Sequence, residues 1–343
     1  MKIVFIIPRP MSLVFGGSEV QALKTKEQLE DLGHTVEFLN MTSLDQIKKA
    51  DIVHFFGSDY IFGQLSEMLV AAGIPYVVSS IFYPVGSGIL ANKFASRVLR
   101  TQFWHRKKVL ERSQRILPNS ISEISRLTYM YGFDSNKFTV VNNGIDRDFI
   151  GDGGQNFRDS HIRKIFGESE FILSVGRIEG RKNSIKLLES AHRLDIPVVF
   201  IGRFTDTEKQ YAHHFKNLSM RKKTGFLHIN GLPQGGPMLA SAYAACSAHV
   251  LLSKLETPGL VSLEAGLNGA NLVVSRCAPV EDYFNDIAFI VNPEDPQDVD
   301  YAIEKAVTLP RNFLSQSEFI SENYSWETAG MKTIEVYRQI LEL

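Results

Sequence analysis

The sequence predicts an α/β protein made of two doubly wound, parallel-sheet domains of Rossmann-like character. Three observations carry that expectation. Short apolar runs rich in Val, Ile and Phe recur along the chain and alternate with stretches of helical spacing. Strands that are apolar on both faces and alternate with helices belong to parallel sheets covered on both sides. The series restarts after a polar, glycine-rich stretch, "DRDFIGDGGQNFRDSH" from Asp146 to His161, which suits a hinge. A length of 343 residues exceeds one compact domain and suits two.

In the first half the strand-like runs are "KIVFII", "TVEFLN", "DIVHFF", "YVVSS" and "RILPNS", followed by "FTVVNNG". In the second half they are "FILSVG", "PVVFIG", "FLHING", "AHVLLS", "NLVVS" and "AFIVNP". Amphipathic stretches lie between them, such as Glu19 to Leu32 with Val20, Leu23, Leu29 and Leu32 on its apolar side. The expected division is residues 1–150 and 151–325. Ligands of such sheets lie at the carboxyl ends of the strands, so two facing domains are expected to enclose a central cleft.

Composition narrows the class. Hydrophobic residues make up 44% and charged residues 22%, ordinary for a soluble chain with real cores. A net charge of −1 argues against a general nucleic-acid binder. Two cysteines, Cys246 and Cys277, give no disulfide framework, which fits a reducing compartment and two small buried hydrophobes. The opening "MKIVFIIPRP" is too short in apolar residues for a signal-peptide core and looks like a first strand. The longest uncharged run, Met68 to Asn92, is broken by Pro75, Pro84, Gly73, Gly86 and Gly88, and is not expected to span a membrane.

Three stretches carry chemistry. After the first strand comes "FGGSEV", where Gly16 and Gly17 would let a backbone approach a ligand and the next helix would offer free N–H groups; a plain turn with Ser18 or Glu19 capping suits it equally. The second half opens with "SVGRIEGRKNS". Arg177 and Lys182 there sit in a strand-to-helix loop, well placed for a diphosphate, unless the loop is merely solvated. The third stretch is "LETPGLVSLEAG", Leu255 to Gly266, after the strand "HVLLS". Pro258-Gly259 break the chain and a helix starts near Leu260. Its unpaired first N–H groups carry about half a positive charge, worth roughly 0.3–2 kcal/mol to a docked phosphate. Glu264, one turn in, could accept ribose hydroxyls. Glu256, before the turn, would face what extends from the diphosphate.

Glu256 and Glu264, with seven residues between them and Gly259 inside, resemble the E-x7-E motif of retaining GT-B glycosyltransferases of family 4, the glycosyl transferases group 1. "GGSEVQ", "DIVHFF", "VVNNGID", "SVGRIEGRKN", "NGL", "AYAACSAHVLLS" and "YSWETAGMKTIEVY" follow that family's order, so the resemblance covers nearly the whole chain. It implies a GT-B architecture and a nucleotide-sugar donor, a UDP-sugar first, held by the second domain with no metal or other cofactor. It assigns Arg177 and Lys182 to the diphosphate, Glu264 to the ribose, Glu256 to the donor sugar, and the backbone of Gly259 and Leu260 to the phosphate. Gly16 and Gly17 match its N-terminal glycine loop. Asn143 and Gly144 match its interdomain turn, and the last segment, 326–343, should return to the first domain. Arg203 in "IGRFTD" is a candidate for base recognition.

One departure stands out. Many members carry a catalytic histidine after the fourth strand, where this chain reads "VVSSIFYPVGS". His54 in "DIVHFF" could point into the cleft, although a strand histidine is more often structural. Residues 92–115 hold eight Lys and Arg against one Glu, interleaved with aromatics. That pattern suits contact with an anionic membrane, or a solvated face packed on its domain. The expected partners are therefore a nucleotide sugar and a hydroxyl acceptor, glycan or lipid-linked, in the cytoplasm or at the inner membrane face, and no nucleic acid. A non-catalytic GT-B-like accessory protein and a GT-B phosphorylase or epimerase are the other readings. "DRD" at Asp146–Asp148 is discounted as a metal site because it follows a turn and matches by chance often.

Overall fold

The structure, a computed structural model, describes residues 1–9, 16–40, 45–82, 93, 99–221, 225–311 and 313–343. The chain forms two compact units, Met1–Gly144 with Trp326–Leu343, and Ile145–Ser325.

The first unit holds five parallel strands: β1 (Lys2–Ile6), β2 (Thr35–Phe38), β3 (Ile52–Phe56), β4 (Tyr76–Ser79) and β5 (Arg115–Ile116), in the order β2-β1-β3-β4-β5. The alternation of side chains along a strand sorts them between two faces. Val4, Ile6, Val53, Phe55 and Val78 go to one core. Phe5, His54 and Phe56 face the other way, with His54 stacked on Phe56 at 4.2 Å between ring centres.

The helix Ile121–Tyr131 starts where Ser120 accepts a hydrogen bond from Glu123 N at 3.2 Å, and Glu123 reaches back to accept from Asn119 N at 3.0 Å. This reciprocal capping satisfies two orphan donors. Glu123 is fully buried and also accepts from Ser80 Oγ and Phe82 N, so the cap anchors the chain leaving β4. Gly132, in the left-handed region at φ 76°, ends the helix. The run "FTVVNNG" forms no strand: Phe138 makes a single bridge to Ile116. Thr139 N donates to Ile116 O and Val141 N to Pro118 O, but Pro118 has no N–H to return, so no regular ladder forms.

The second unit has six parallel strands: β6 (Ile172–Val175), β7 (Val198–Ile201), β8 (Phe226–Ile229), β9 (Ala248–Leu251), β10 (Asn271–Ser275) and β11 (Ala288–Val291). Their order is β11-β10-β9-β6-β7-β8. From β6 the chain winds outward to β8, returns to lay β9 on the other side of β6, and winds outward again. Alternate residues feed two cores, Leu173, Val175, Val199 and Leu272 on one face, Ile172, Val198, Phe200 and Val250 on the other.

The stretch expected as a hinge is built into this second unit. Phe149 and Phe157 are buried, and Asn268 holds the chain by donating to Phe149 O at 3.0 Å and accepting from Gly151 N at 2.7 Å. The second unit thus begins at Ile145 rather than at 151. Cys246 is buried and Cys277 half-buried, and the two are not joined in a disulfide. Within the uncharged run, Gly63–Ala71 is helix and Tyr76–Ser79 is β4, and residues 83–92 lie outside the described residues. Among the described residues no helix is long and apolar enough to cross a membrane.

The last segment, the helix Trp326–Leu341, belongs to the first unit and packs on the helix Gly17–Asp31. Gly330 allows that approach, since a Cβ there would lie 2.6 Å from Gln28 Cβ. Gly330→Val should therefore lower stability by about 1–3 kcal/mol through overpacking. Lys332→Ala, on the exposed side of the same helix, should stay within about 0.5 kcal/mol. Urea unfolding of the two variants checks this; equal midpoints would mean the helices are not tightly seated.

Candidate functional site

In the second unit, β6 and β9 are neighbours at the point where the strand order reverses. Connections leave such a point in opposite directions and open a crevice at the carboxyl ends of the strands. Two loops border it. One runs from Gly176 to the helix Ser184–Leu194, and the other from Leu252 to the helix Leu260–Leu267.

These loops meet through an ion pair. Lys182 Nζ donates to Glu256 Oε1 at 2.5 Å, with side chains only 14% and 9% exposed. A second cation, Arg181, lies with Nη1 3.7 Å from the same oxygen. Arg181 Nη1 also donates to Leu255 O at 2.9 Å, and Lys254 N donates to Arg181 O at 2.8 Å. The first loop is braced against the turn after β7 as well. Ile178 N donates to Arg203 O at 2.9 Å, and the buried Glu179 carboxylate accepts from Thr205 Oγ1 and Arg181 Nε.

Gly259 lies at φ 100°, a region that L side chains rarely adopt, and its turn delivers the chain into the helix Leu260–Leu267. Among the described residues no side chain caps this helix; Ser262 N turns back to Gly259 O at 2.9 Å, and the helix presents its positive end at the crevice. One turn further, Glu264 accepts from Tyr243 Oη at 2.9 Å. Burial, with the negative charge of Asp146 adding to it, pushes the Glu264 carboxyl up to about 7. Nearby on β9, His249 is fully buried, and burial, helped by the charge of Lys182, pushes its ring down to about 3. The ring is therefore neutral and adds no charge.

The comparisons with known proteins agree on the architecture. Residues 156–326 match the family model for glycosyl transferases group 1. The second unit carries that family's domain, and the chain has the GT-B fold. It is 24% identical over 249 residues to D-inositol 3-phosphate glycosyltransferase 2 of Catenulispora acidiphila, covering 68% of this chain and 58% of that protein. The match thus spans less than two thirds of that relative. A D-inositol 3-phosphate glycosyltransferase of Paenarthrobacter aurescens is 22% identical over 332 residues, 92% of this chain and 79% of the relative. Among solved structures, a glycosyltransferase from Rickettsia africae superposes with TM-score 0.77 at 16% identity over 99% of this chain and 98% of its own. Anabaena HepE with UDP and glucose gives 0.71 at 17% identity, over 98% and 99%.

On this GT-B scaffold the expected residues are divided between the two units. Glu256, Lys182, Gly259, Leu260 and Glu264 line the loops and helix of the second unit's crevice. Arg177 and Arg203 are exposed on the loops after β6 and β7. Gly16 and Gly17 belong to the first unit, where Gly16 precedes the helix Gly17–Asp31 with no side-chain cap. Ser18 bonds Glu19 rather than capping the helix.

His54 is corrected by the structure. It is 1% exposed, with Nδ1 2.6 Å from Tyr337 Oη and Nε2 2.9 Å from Ser79 Oγ. Burial pushes the ring down to about 3. It is a neutral core histidine that joins β3, β4 and the final helix, not a group free to meet an acceptor.

The basic segment is neutralised in part where it is described. Lys108 pairs with Glu111, Arg112 with Glu67 and Arg106 with Asp59, while Val109 and Leu110 are buried. Residues 92 and 94–98 lie outside the described residues. Among the described residues no group of three His, Cys, Asp or Glu side chains is placed to hold a metal ion.

Sequence reasoning missed Arg181, Glu179 and Tyr243. Arg181 was readable only as one more cation beside Lys182, and Tyr243 as one more apolar residue in "AYAACSAHV".

The raised Glu264 carboxyl has a stability consequence. The folded state holds its proton up to about 7, whereas the ordinary value is 4.5. The unfolded chain therefore binds fewer protons between those values, and stability falls as pH rises through that window. The loss should be on the order of 3 kcal/mol between pH 4 and pH 8. Glu264→Gln should flatten this part of the profile, as urea midpoints across that range would show. An unchanged slope would assign the effect to other groups.

Proposed function

We propose that the protein is a retaining glycosyltransferase that moves a hexose-like unit from a nucleotide sugar to a hydroxyl acceptor without a metal ion. The observation that carries this reading is the Lys182–Glu256 pair at the reversal of the strand order, beside an uncapped helix start. A diphosphate suits that place: the helix end and Lys182 offer fixed positive charge, and Arg177 stands exposed on the same loop. Glu264, one turn into the helix, suits the ribose hydroxyls. The donor is a UDP-sugar on this reading, supported by the Anabaena structures, which hold UDP and UDP-glucose.

In such a transfer the C–O bond between sugar and diphosphate breaks through a sugar cation. Positive groups fixed at the leaving diphosphate stabilise the charge that develops there, where preorganised electrostatics contribute most. Glu256 orients the donor sugar and stabilises the cation. The acceptor is a hydroxyl of a glycan or of a lipid-linked sugar, in glycan or cell-surface polysaccharide synthesis, in the cytoplasm or at the inner membrane face. Contact of 92–115 with an anionic bilayer belongs to the same reading. It has less charge to draw on, because three of the segment's cations are paired within the fold.

A second reading, a non-catalytic accessory protein on this fold, is favoured by the engagement of both His54 nitrogens in the core. Thermal melting with UDP, GDP, ADP and CDP separates the two. A nucleotide at ~100 times its Kd adds about 2.7 kcal/mol to the folded state, and Lys182→Ala should abolish that shift. Silence of the wild type towards all four would favour the accessory protein. With a working donor, Glu256→Ala should lower kcat more than it raises donor KM. The opposite split would place Glu256 in ground-state binding alone.

A further inference from the structure

Glu256 is 8% exposed, so its carboxylate depends on a cation beside it. Its present partner is Lys182, at 2.5 Å, and Lys182 is also the residue that the donor reading gives to the diphosphate. An anion that draws Lys182 away would leave a nearly buried carboxylate bare. Removing one partner of such a pair is strongly unfavourable. The molecule therefore needs a second cation that stays behind.

Arg181 has the geometry for it. Its Nη1 is 3.7 Å from the same Glu256 Oε1, close but not in hydrogen-bond contact. It is tethered on both sides: Nε donates to Glu179 Oε1 at 3.0 Å, Nη1 donates to Leu255 O at 2.9 Å, and its own carbonyl accepts from Lys254 N at 2.8 Å. Glu179 is 7% exposed and is fixed in turn by Thr205 Oγ1 at 2.8 Å, while the next backbone N–H, of Gly180, donates to Glu208 Oε2 at 2.6 Å. Lysine carries a point charge on a flexible stem, whereas a guanidinium holds a rigid fork of donors. The two neighbours thus divide the work, one cation free to swing and one anchored.

We propose that Arg181 is the reserve counter-ion of Glu256: when the diphosphate of a nucleotide engages Lys182, the guanidinium closes its short gap and takes over the carboxylate. Binding then exchanges one ion pair for another, and the Glu256 carboxylate stays paired and in place. Arg181 acts here through Glu256 and is a positioning residue. The proposal rests on the donor reading above and adds to it the residue that makes Lys182 available.

The test is a double-mutant cycle on nucleotide affinity. Calorimetry measures the Kd of whichever of UDP, GDP, ADP and CDP binds the wild type most tightly, then its Kd for Arg181→Ala, Glu256→Gln and the double variant. In the wild-type background, loss of Arg181 should weaken binding roughly tenfold, the scale of coupling between residues in contact. With Glu256→Gln there is no carboxylate to keep paired, and loss of Arg181 should then change Kd less than about twofold. Equal losses in both backgrounds would overturn the hand-over, because an arginine that touches the phosphate or stiffens the loop costs the same in each. If Arg181→Ala shows no cooperative melting transition, Arg181→Gln replaces it with the same expectation. A wild type that binds none of the four overturns both the donor reading and the hand-over; a wild type that binds, with additive losses, overturns the hand-over alone.

Discussion

The pairing of β6 with β9 is the constraint on which the second unit's chemistry depends. Ile172 opposes Ala248 and Leu173 opposes His249, although the paired segments lie far apart in sequence. That register places the ends of the two strands side by side. The loops that follow them wind to opposite sides of the sheet, so neither fills the space between. Lys182 and Glu256, separated by 74 positions in the chain, can then touch. A shift of one residue in either strand would send each side chain to the opposite core and separate the loops.

An ion pair with so little exposure is a weak source of stability, since desolvation offsets much of the attraction. Its place at the mouth of the crevice gives it another consequence. The charges face a region where an anion can compete for the cation, and the carboxylate then needs support from elsewhere. The surrounding hydrogen bonds run through three loops, after β6, β7 and β9, and meet at Glu179 and Arg181. The rigidity of this group comes from backbone as much as from side chains: Ile178 continues the β6–β7 pairing one bridge beyond the strands.

Most of the architecture was legible in the sequence, and the reason is burial on both faces. Parallel strands such as "KIVFI" and "VVFI" have to be apolar throughout, so they stand out as runs. "FTVVNNG" has the same composition but opposes Pro118, and a ladder partner's missing N–H leaves no mark in the run itself. The stretch Asp146–His161 looked like a free linker because it is polar and rich in glycine. Two of its three glycines serve close packing: a Cβ at Gly151 would lie 2.5 Å from Ala240 O, and one at Gly154 2.4 Å from Ala245 Cα. The site was legible where a residue's type is unusual for its place, as with Glu256 beside a Pro-Gly break. It was illegible where the role depends on a partner distant in sequence. A structural role for His54 is the commoner expectation for a strand histidine, but nothing in "DIVHFF" announces that Tyr337 is the group that meets its Nδ1.

The two glutamates that frame the Thr-Pro-Gly break show how environment divides one chemistry into two. Glu256 lies between two cations, where its negative charge is matched by neighbours. Glu264 has no cation beside it: it accepts from a buried phenol and feels the negative charge of Asp146, and its carboxyl holds a proton up to about 7. Burial of this kind lets a carboxyl keep its proton far above the ordinary range, as Glu264 does. On the donor reading proposed above, a half-charged Glu264 would suit hydrogen bonding to an uncharged sugar ring and would avoid a second full negative charge near a diphosphate. A carboxyl ionised at all pH values there would oppose an anion at the helix start. The proton that burial keeps on Glu264 would leave the field of the crevice more favourable to phosphate.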